Sequence, residues 1–495
     1  MYLLGLDIGS SSVKASLLDA ESSKCLATDY FPKKEMKITA NEIGWAEQDP
    51  EMWWENLQLA IKSVMQVAKV DKDQVKSIGI SYQMHGLVCV DENTQTVRSS
   101  IIWCDSRAVA IGEEASVEIG KDKCLSHLLN SPGNFTASKL AWVKKNEPET
   151  FRKIHKIMLP GDFIAMKLTG EICTTVSGMS EGIFWDFKNN NISQDVLATY
   201  GFSKDILPDI VDTFSNQGLV LPEIAEELGF SSSAVVSYRA GDQPNNALSL
   251  NVLKPGEVAT TAGTSGVVYG VSDEVKFDPY SRVNSFAHVN HTDEDKRLGI
   301  LLCINGTGIM NSWLKHNVAK ELSYAEMNEK AMEVPVGSDG ITILPFGNGA
   351  ERVLNNREVG AQISNLNLNR HTDAHIYRAA QEGIAFSFYY GMEVMKEIGV
   401  QSKVIRAGHA NMFLSPLFRE TLSTVSGATI ELYDTDGSLG AARGAGYGAG
   451  VYASLDEAFS GLEIISTIKP DESKREKMLE AYARWSEELK KNLQN

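Results

Sequence analysis

Cysteine is scarce and scattered: six in 495 residues (Cys25, Cys89, Cys104, Cys124, Cys173 and Cys303), with no Cys-x-x-Cys pair. That argues against a disulfide framework or a zinc module and predicts reduced, mostly buried thiols acting as small hydrophobes. Positive charge is also short. Lys and Arg number 47 against 64 Asp and Glu, for a formal net charge of −17. An acidic surface of this kind speaks against nucleic-acid partners and anionic membranes, which take most of their affinity from basic residues. No apolar run approaches the ~18 residues of a membrane-spanning helix. The opening Met1-Tyr2-Leu3-Leu4-Gly5-Leu6 lacks a basic flank and meets Asp7 at once, unlike a signal peptide. A cytoplasmic protein is expected. There is no G-x-x-x-x-G-K-[ST], so a P-loop fold is not indicated.

What is present is ordinary globular material, 43% hydrophobic and 22% charged. The length exceeds the ~250–300 residues at which single cores stop growing, so two domains are expected. Tyr2 to Ile8 reads as a strand that breaks at Gly9-Ser10-Ser11-Ser12 and returns as Val13 to Leu18. A helix should start with Asp49 as N-cap and Pro50 in its first turn, followed by Trp54, Leu57, Ile61, Val64 and Ala68 at helical spacing. Lys76 to Ser81 reads as a strand, with Leu87 to Val90 as its return. Strand and helix signals alternate to about residue 240, the mark of an α/β half.

The second half repeats the plan. Glu257 to Thr261 is a strand, Gly263-Thr264-Ser265-Gly266 a hydroxyl-bearing turn, and Val267 to Val271 the return. The pair suggests a distant internal duplication. A last helix should bury Met478, Tyr482, Trp485 and Leu489 on one face.

Several stretches could carry chemistry. Asp7 stands at a strand end beside Ser10, Ser11 and Ser12, where backbone N–H groups and hydroxyls can hold phosphate and the acid can hold magnesium through water. Gly263, Thr264 and Ser265 offer a second phosphate grip. Two grips suit a nucleotide triphosphate, because phosphoryl transfer needs positioning and charge neutralisation more than covalent chemistry. Asp242, in Gly241-Asp242-Gln243-Pro244, lies between the halves; it reads either as a helix cap or as a general base. Met84 and His85, before Gly86, could contact sugar hydroxyls, as could Trp103, Asp105 and Gln243; each also reads as a core or ion-pair residue. Ala407-Gly408-His409-Ala410-Asn411 could receive an adenine, with the small-residue helix around Gly440 to Gly446 packed nearby. Gly178-Met179-Ser180-Glu181-Gly182 satisfies a hydrolase elbow, but the residues after it read as extended where the elbow needs a helix. His371 and His375 have metal-ligand spacing without a third ligand and read as surface residues.

Taken together these motifs resemble, in order and spacing, the FGGY carbohydrate kinases across essentially the whole chain. Gly44 to Pro50 with Trp53-Trp54, Gln83-Met84-His85-Gly86 and Trp103-Cys104-Asp105-Ser106-Arg107 resemble the branch that acts on xylulose. Thr136 to Trp142 resembles the family's first signature; Leu344-Pro345-Phe346, Glu351-Arg352 and Arg378 to Gly383 resemble later landmarks. The resemblance implies an α/β fold of two actin-like ATPase (ribonuclease H-like) domains, 1–241 and 242–495, with the ligands in a cleft between them. It implies ATP and Mg²⁺, a small sugar as partner, and a homodimer as one possible assembly. Asp242 matches the catalytic base and a magnesium-side acid, Asp7 the magnesium-linked acid, and Met84-His85 the substrate pair. Thr264 and Ser265 match the second phosphate loop, and Gly408 with Asn411 the adenosine side. Ser10, the Pro-Asn-Asn after Gln243, Asn365 and the loop at Gly408 depart from the family's commoner residues.

Overall fold

The computed structural model describes residues 1–494. The chain divides into two compact units. The first comprises Met1–Asn251, Ser285–Leu298 and Thr435–Leu462; the second comprises Val252–Asn284, Gly299–Asp434 and Glu463 onward.

The first unit is built on a five-stranded sheet ordered Val235–Gly241, Val75–Tyr82, Tyr2–Ile8, Val13–Asp19, Cys25–Phe31. The first three run parallel, and the last two continue as antiparallel hairpin strands. Leu4, Leu6, Ile8, Ile78, Ile80 and Val236 are fully buried, which fits a sheet covered on both faces. On one side lies the helix Pro50–Ala68, which starts as expected: the Asp49 side chain accepts from the Glu51 N–H. On the other lies the small-residue helix Gly437–Gly448. A Cβ on Gly5 would stand 1.7 Å from the Ser438 carbonyl oxygen, and one on Gly79 1.9 Å from that of Ala441. Backbone therefore lies on backbone here, which only glycine in the strands permits. This is the small-residue helix that the sequence predicts, and it covers the first sheet.

The second unit follows the same plan. Its strands lie in the order Leu298–Ile304, Gly266–Ser272, Glu257–Ala262, Val404–Gly408, Thr429–Tyr433, Ile464–Ile468. Here too an opening antiparallel hairpin (Glu257–Ala262 with Gly266–Ser272) is followed by two parallel additions. The strand order around each hairpin is the same, so the repeated glycine–hydroxyl turns mark a repeated topology. The helix Glu472–Gln494 buries Met478, Tyr482, Trp485 and Leu489, as its periodicity predicts. The Trp485 indole N–H donates to the Ile343 carbonyl at 2.9 Å.

Two local expectations differ. Val88–Val90 does not return along Val75–Tyr82; it pairs antiparallel with Lys156–Met158. Three of the six cysteines (Cys25, Cys104, Cys303) are exposed, and none forms a disulfide. Among the described residues no helix is long and apolar enough to cross a membrane.

Candidate active site

The three parallel strands of the first unit end side by side. Ile8 pairs with Tyr82, and Gly241 with the same residue from the other side. Asp7, Gln83-Met84-His85 and Asp242 thus emerge at neighbouring carboxyl ends, the position where open α/β sheets bind ligands.

Asp7 is in register with Ser81, whose hydroxyl donates to Oδ1 at 2.8 Å. Burial raises its carboxyl above the ordinary value, Ser81 opposes that, and the Asp436 carboxylate adds to it. Asp436 is held by the Lys14 ammonium at 3.1 Å and accepts the Leu439 N–H at the head of the helix Gly437–Gly448.

Asp242 is the first residue of the helix Asp242–Ser249, whose N-cap is Gly241, and no side-chain capping bond is made there. Asp242 thus stands one residue beyond the cap position, with its carboxylate still facing the helix N-terminus. The backbone and side chain of Gln243 donate to its carboxylate. Desolvation, with the Asp7 carboxylate adding to it, pushes the Asp242 carboxyl up to about 7. A carboxylate poised near neutrality can take up or release a proton at neutral pH.

Around these acids stand the other expected contacts. Met84 is buried and lies against Gly241, where an added Cβ would meet its Cγ at 2.6 Å. His85 has φ +61°, a left-handed conformation that costs a non-glycine residue roughly 1–2 kcal/mol. Its Nδ1 lies 2.9 Å from the Glu181 carbonyl, and its own carbonyl accepts from Lys139 Nζ at 2.8 Å. The ring packs edge-on against Phe135 at 4.7 Å and, tilted, against Phe286 at 5.4 Å. The half-exposed Trp103 donates its indole N–H to the Ser10 hydroxyl at 3.3 Å, which joins it to the first turn. That turn is closed by the Gly9 N–H on the Ser12 carbonyl, with Ser10 and Ser11 carbonyls accepting from Gln48 and Met36.

Asp105 is placed differently from the other expected contacts. It is fully buried and accepts from the Ala46 N–H at 2.6 Å and from Arg107 Nε at 2.9 Å. Arg107 also reaches Glu47 and stacks 3.8 Å over the Trp45 ring. Its carboxylate is spent within the protein, so it orders this cluster instead of offering itself to a sugar.

Sequence reasoning passed over two buried groups. Lys139 is fully buried, donates to the His85 and Ile102 carbonyls, and is pushed down to about 7 by desolvation. Glu181 is buried, and burial pushes its carboxyl well above the usual range. Both lay in motifs noted for other reasons, the family signature and the elbow pattern. The elbow itself is absent: Ser180 sits inside the helix Val176–Glu181, buried, with its hydroxyl donating to the Ser177 carbonyl and accepting the Ala287 N–H.

In the second unit the turn Gly263-Thr264-Ser265 rests on the start of the helix Gly308–Asn317: the Gly308 and Ile309 N–H groups donate to the Gly263 and Thr264 carbonyls. Beside it opens a pocket of about 360 Å³ lined by Gly263, Thr264, Asn311, Ser312, Asn411 and Leu414, among others. The volume falls within the range of small-ligand sites. Gly408 ends its strand just before this wall, and a Cβ there would meet open space. His371 and His375 are not a metal pair. Their Nδ1 atoms accept the backbone N–H groups of Asn367 and Thr372.

The N-terminal domain of the FGGY family of carbohydrate kinases matches residues 2–249, and its C-terminal domain residues 258–449. A xylulose kinase of Haemophilus influenzae is 29% identical over 500 residues, spanning 98% of this chain and 98% of its own. Among solved structures, xylulose kinase from Rhodospirillum rubrum matches with a TM-score of 0.88 at 24% identity, covering 100% of each chain. Gluconate kinase from Lactobacillus acidophilus matches at 0.90 and 21% identity, covering 99% and 98%. The two structures share the fold.

Proposed function

The chain belongs to the FGGY family of carbohydrate kinases, and on that premise we propose that it transfers the γ-phosphoryl group of ATP to the terminal hydroxyl of D-xylulose, giving D-xylulose 5-phosphate. Transfer of a phosphoryl group to a sugar hydroxyl is the reaction of the family. The choice of xylulose rests on the full-length similarity to a xylulose kinase and on the Met84-His85 wall.

Asp242 carries the reading. Its carboxylate stands at the end of a parallel strand, held by Gln243, at about 7. It accepts the proton of the attacking hydroxyl as the oxygen bonds to phosphorus and the β–γ bridge oxygen leaves with ADP. His85 and Met84 orient the sugar, and Phe135 with Phe286 form the apolar backing of the His85 ring. In the second unit the 360 Å³ pocket takes the nucleoside beside the turn Gly263–Ser265; in the first, the turn Ser10–Ser12 offers hydroxyls suited to phosphate oxygens.

Magnesium fits this donor set. Asp7 and Asp242 are close enough to repel one another, Asp436 adds a third carboxylate, and Lys14 is the cation paired there. Such an excess of hard oxygen donors suits a divalent cation. Asp7 would hold it through water, with Asp242 beside it. Magnesium supplies neutralisation of the charge on the β- and γ-phosphates.

A coupled ADP-release assay across ketoses, polyols and sugar acids, gluconate included, tests the assignment. D-xylulose should give the highest kcat/KM. A higher value for a sugar acid, or ATP hydrolysis indifferent to every sugar, would overturn it.

A further inference from the structure

The helix Val176–Glu181 belongs to no part of the mechanism above, yet it touches three walls of the acceptor site. Ser177 Oγ donates to the Ala287 carbonyl at 2.9 Å, and Ser180 Oγ accepts the Ala287 N–H at 3.0 Å. These two bonds fix the segment that carries Phe286. The Glu181 carbonyl meets His85 Nδ1 at 2.9 Å, and its Oε1 faces the His85 N–H at 3.5 Å. Glu181 Oε2 makes no hydrogen bond of ordinary geometry, although the Tyr82 hydroxyl stands near enough to the carboxyl to oppose its upward shift. Oε2 lies against Gly241, where a Cβ would come within 2.5 Å of it. One side chain, only 1% exposed, is thus wedged between the His85 backbone and the residue that precedes Asp242.

We propose that Glu181 is a positioning residue that holds the His85 loop and the Asp242 strand end in a fixed relation, and so decides which epimer of a ketopentose presents its hydroxyl to Asp242. The proposal rests on the sugar-kinase reading. A left-handed non-glycine backbone persists only where its surroundings over-determine it. At His85 those surroundings are Lys139 on the carbonyl and Glu181 on the N–H and the ring. Gly241 is glycine because the carboxyl occupies the place of a Cβ. Shortening the wedge frees both neighbours together, and the error falls on the angle between sugar and base.

The experiment compares the full chain with Glu181→Gln, Glu181→Ala and Glu181→Leu, using D-xylulose and its C3 epimer D-ribulose as acceptors. Glu181→Gln keeps the shape and should retain kcat/KM for both sugars within about twofold. Glu181→Ala should lower kcat/KM for the preferred sugar by about 10²-fold, the cost of a misplacement near 1 Å. The loss should appear in kcat as well as in acceptor KM, with KM for ATP unchanged and the preference between epimers collapsing. Glu181→Leu fills the space without an acceptor for the His85 N–H and should fall between the two. A folded Glu181→Ala enzyme, judged by its melting curve, that keeps the wild-type acceptor KM and epimer ratio overturns the proposal. If Glu181→Ala does not fold, Glu181→Leu with wild-type acceptor KM and ratio overturns it equally. Wild-type protein that phosphorylates no sugar overturns the sugar-kinase reading itself, an outcome separate from these.

Discussion

Ser81 and Asp7 face each other across a parallel pair of strands, and the Ser81 hydroxyl donates to the Asp7 carboxylate at 2.8 Å. The bond steadies one member of an acid pair whose other member, Asp242, is held by the next residue along its own chain. Each acid therefore has a fixed direction before any ligand arrives.

If Asp242 is the base, Asp242→Ala should lower kcat by ~10²–10⁴, the usual worth of general acid–base help. Calorimetric binding of the sugar should survive. Turnover within a few-fold of wild type would remove Asp242 from the mechanism.

The pH profile has a definite sign. A base works only when ionised, and the Asp242 carboxyl stands at about 7. The value of kcat/KM should therefore fall as pH drops through about 7 and level off above it. Asp7→Asn removes a carboxylate that raises Asp242, so whatever activity remains should show its acid limb at lower pH. An acid limb unmoved by Asp7→Asn would contradict the coupling.

The nucleotide side can be tested alone. A Cβ on Gly308 would lie 2.3 Å from the Gly263 carbonyl oxygen, so Gly308→Ala must displace the second turn. KM for ATP should rise about tenfold, equivalent to about 1.4 kcal/mol. Sugar affinity measured without nucleotide should stay at the wild-type value.

The Arg107 cluster should behave as structure and not as binding. Arg107→Ala leaves the buried Asp105 without its partner, which typically costs about 3–5 kcal/mol. A large drop in melting temperature is expected. If stability is unchanged while sugar KM rises, Asp105 contacts substrate after all.

Gly79→Ala should destabilise the first unit. The new methyl would meet the Ala441 carbonyl at 1.9 Å, and overpacking of this kind costs typically about 1–3 kcal/mol. A thermal melt and a hydrogen-exchange map of residues 75–82 would show it.

Local signals in the sequence foretold local structure well. Asp49 before Pro50 marks a helix start because its carboxylate must satisfy a free N–H, and it does. The spacing of Met478, Tyr482, Trp485 and Leu489 marks one face because a helix has only one period. Pairing was harder to see. Val88–Val90 looks like the return of the strand before it, but period-2 apolar residues carry no address, and its partner Lys156–Met158 lies far along the chain. That Asp7 and Asp242 would stand near strand ends was legible from the turns around them. Local sequence left Asp242 between a helix cap and a base, and only the family resemblance favoured the base. Glu181 was not legible, because a carboxyl buried without an ion pair in contact breaks the rule that charges are paired or exposed. Asp105 was legible as an acid beside a tryptophan, but nothing in the sequence says that Arg107 would turn back to occupy it.

The helix Gly437–Gly448 has one more consequence, for the order of synthesis. It covers the face of the first sheet at Gly5 and Gly79, yet it leaves the ribosome only after most of the second unit has been made. The nascent first unit must wait with that face uncovered, a task for a chaperone or for speed. A nonsense codon anywhere before residue 435 would leave the sheet that carries Asp7 and Asp242 unroofed, even with both acids intact.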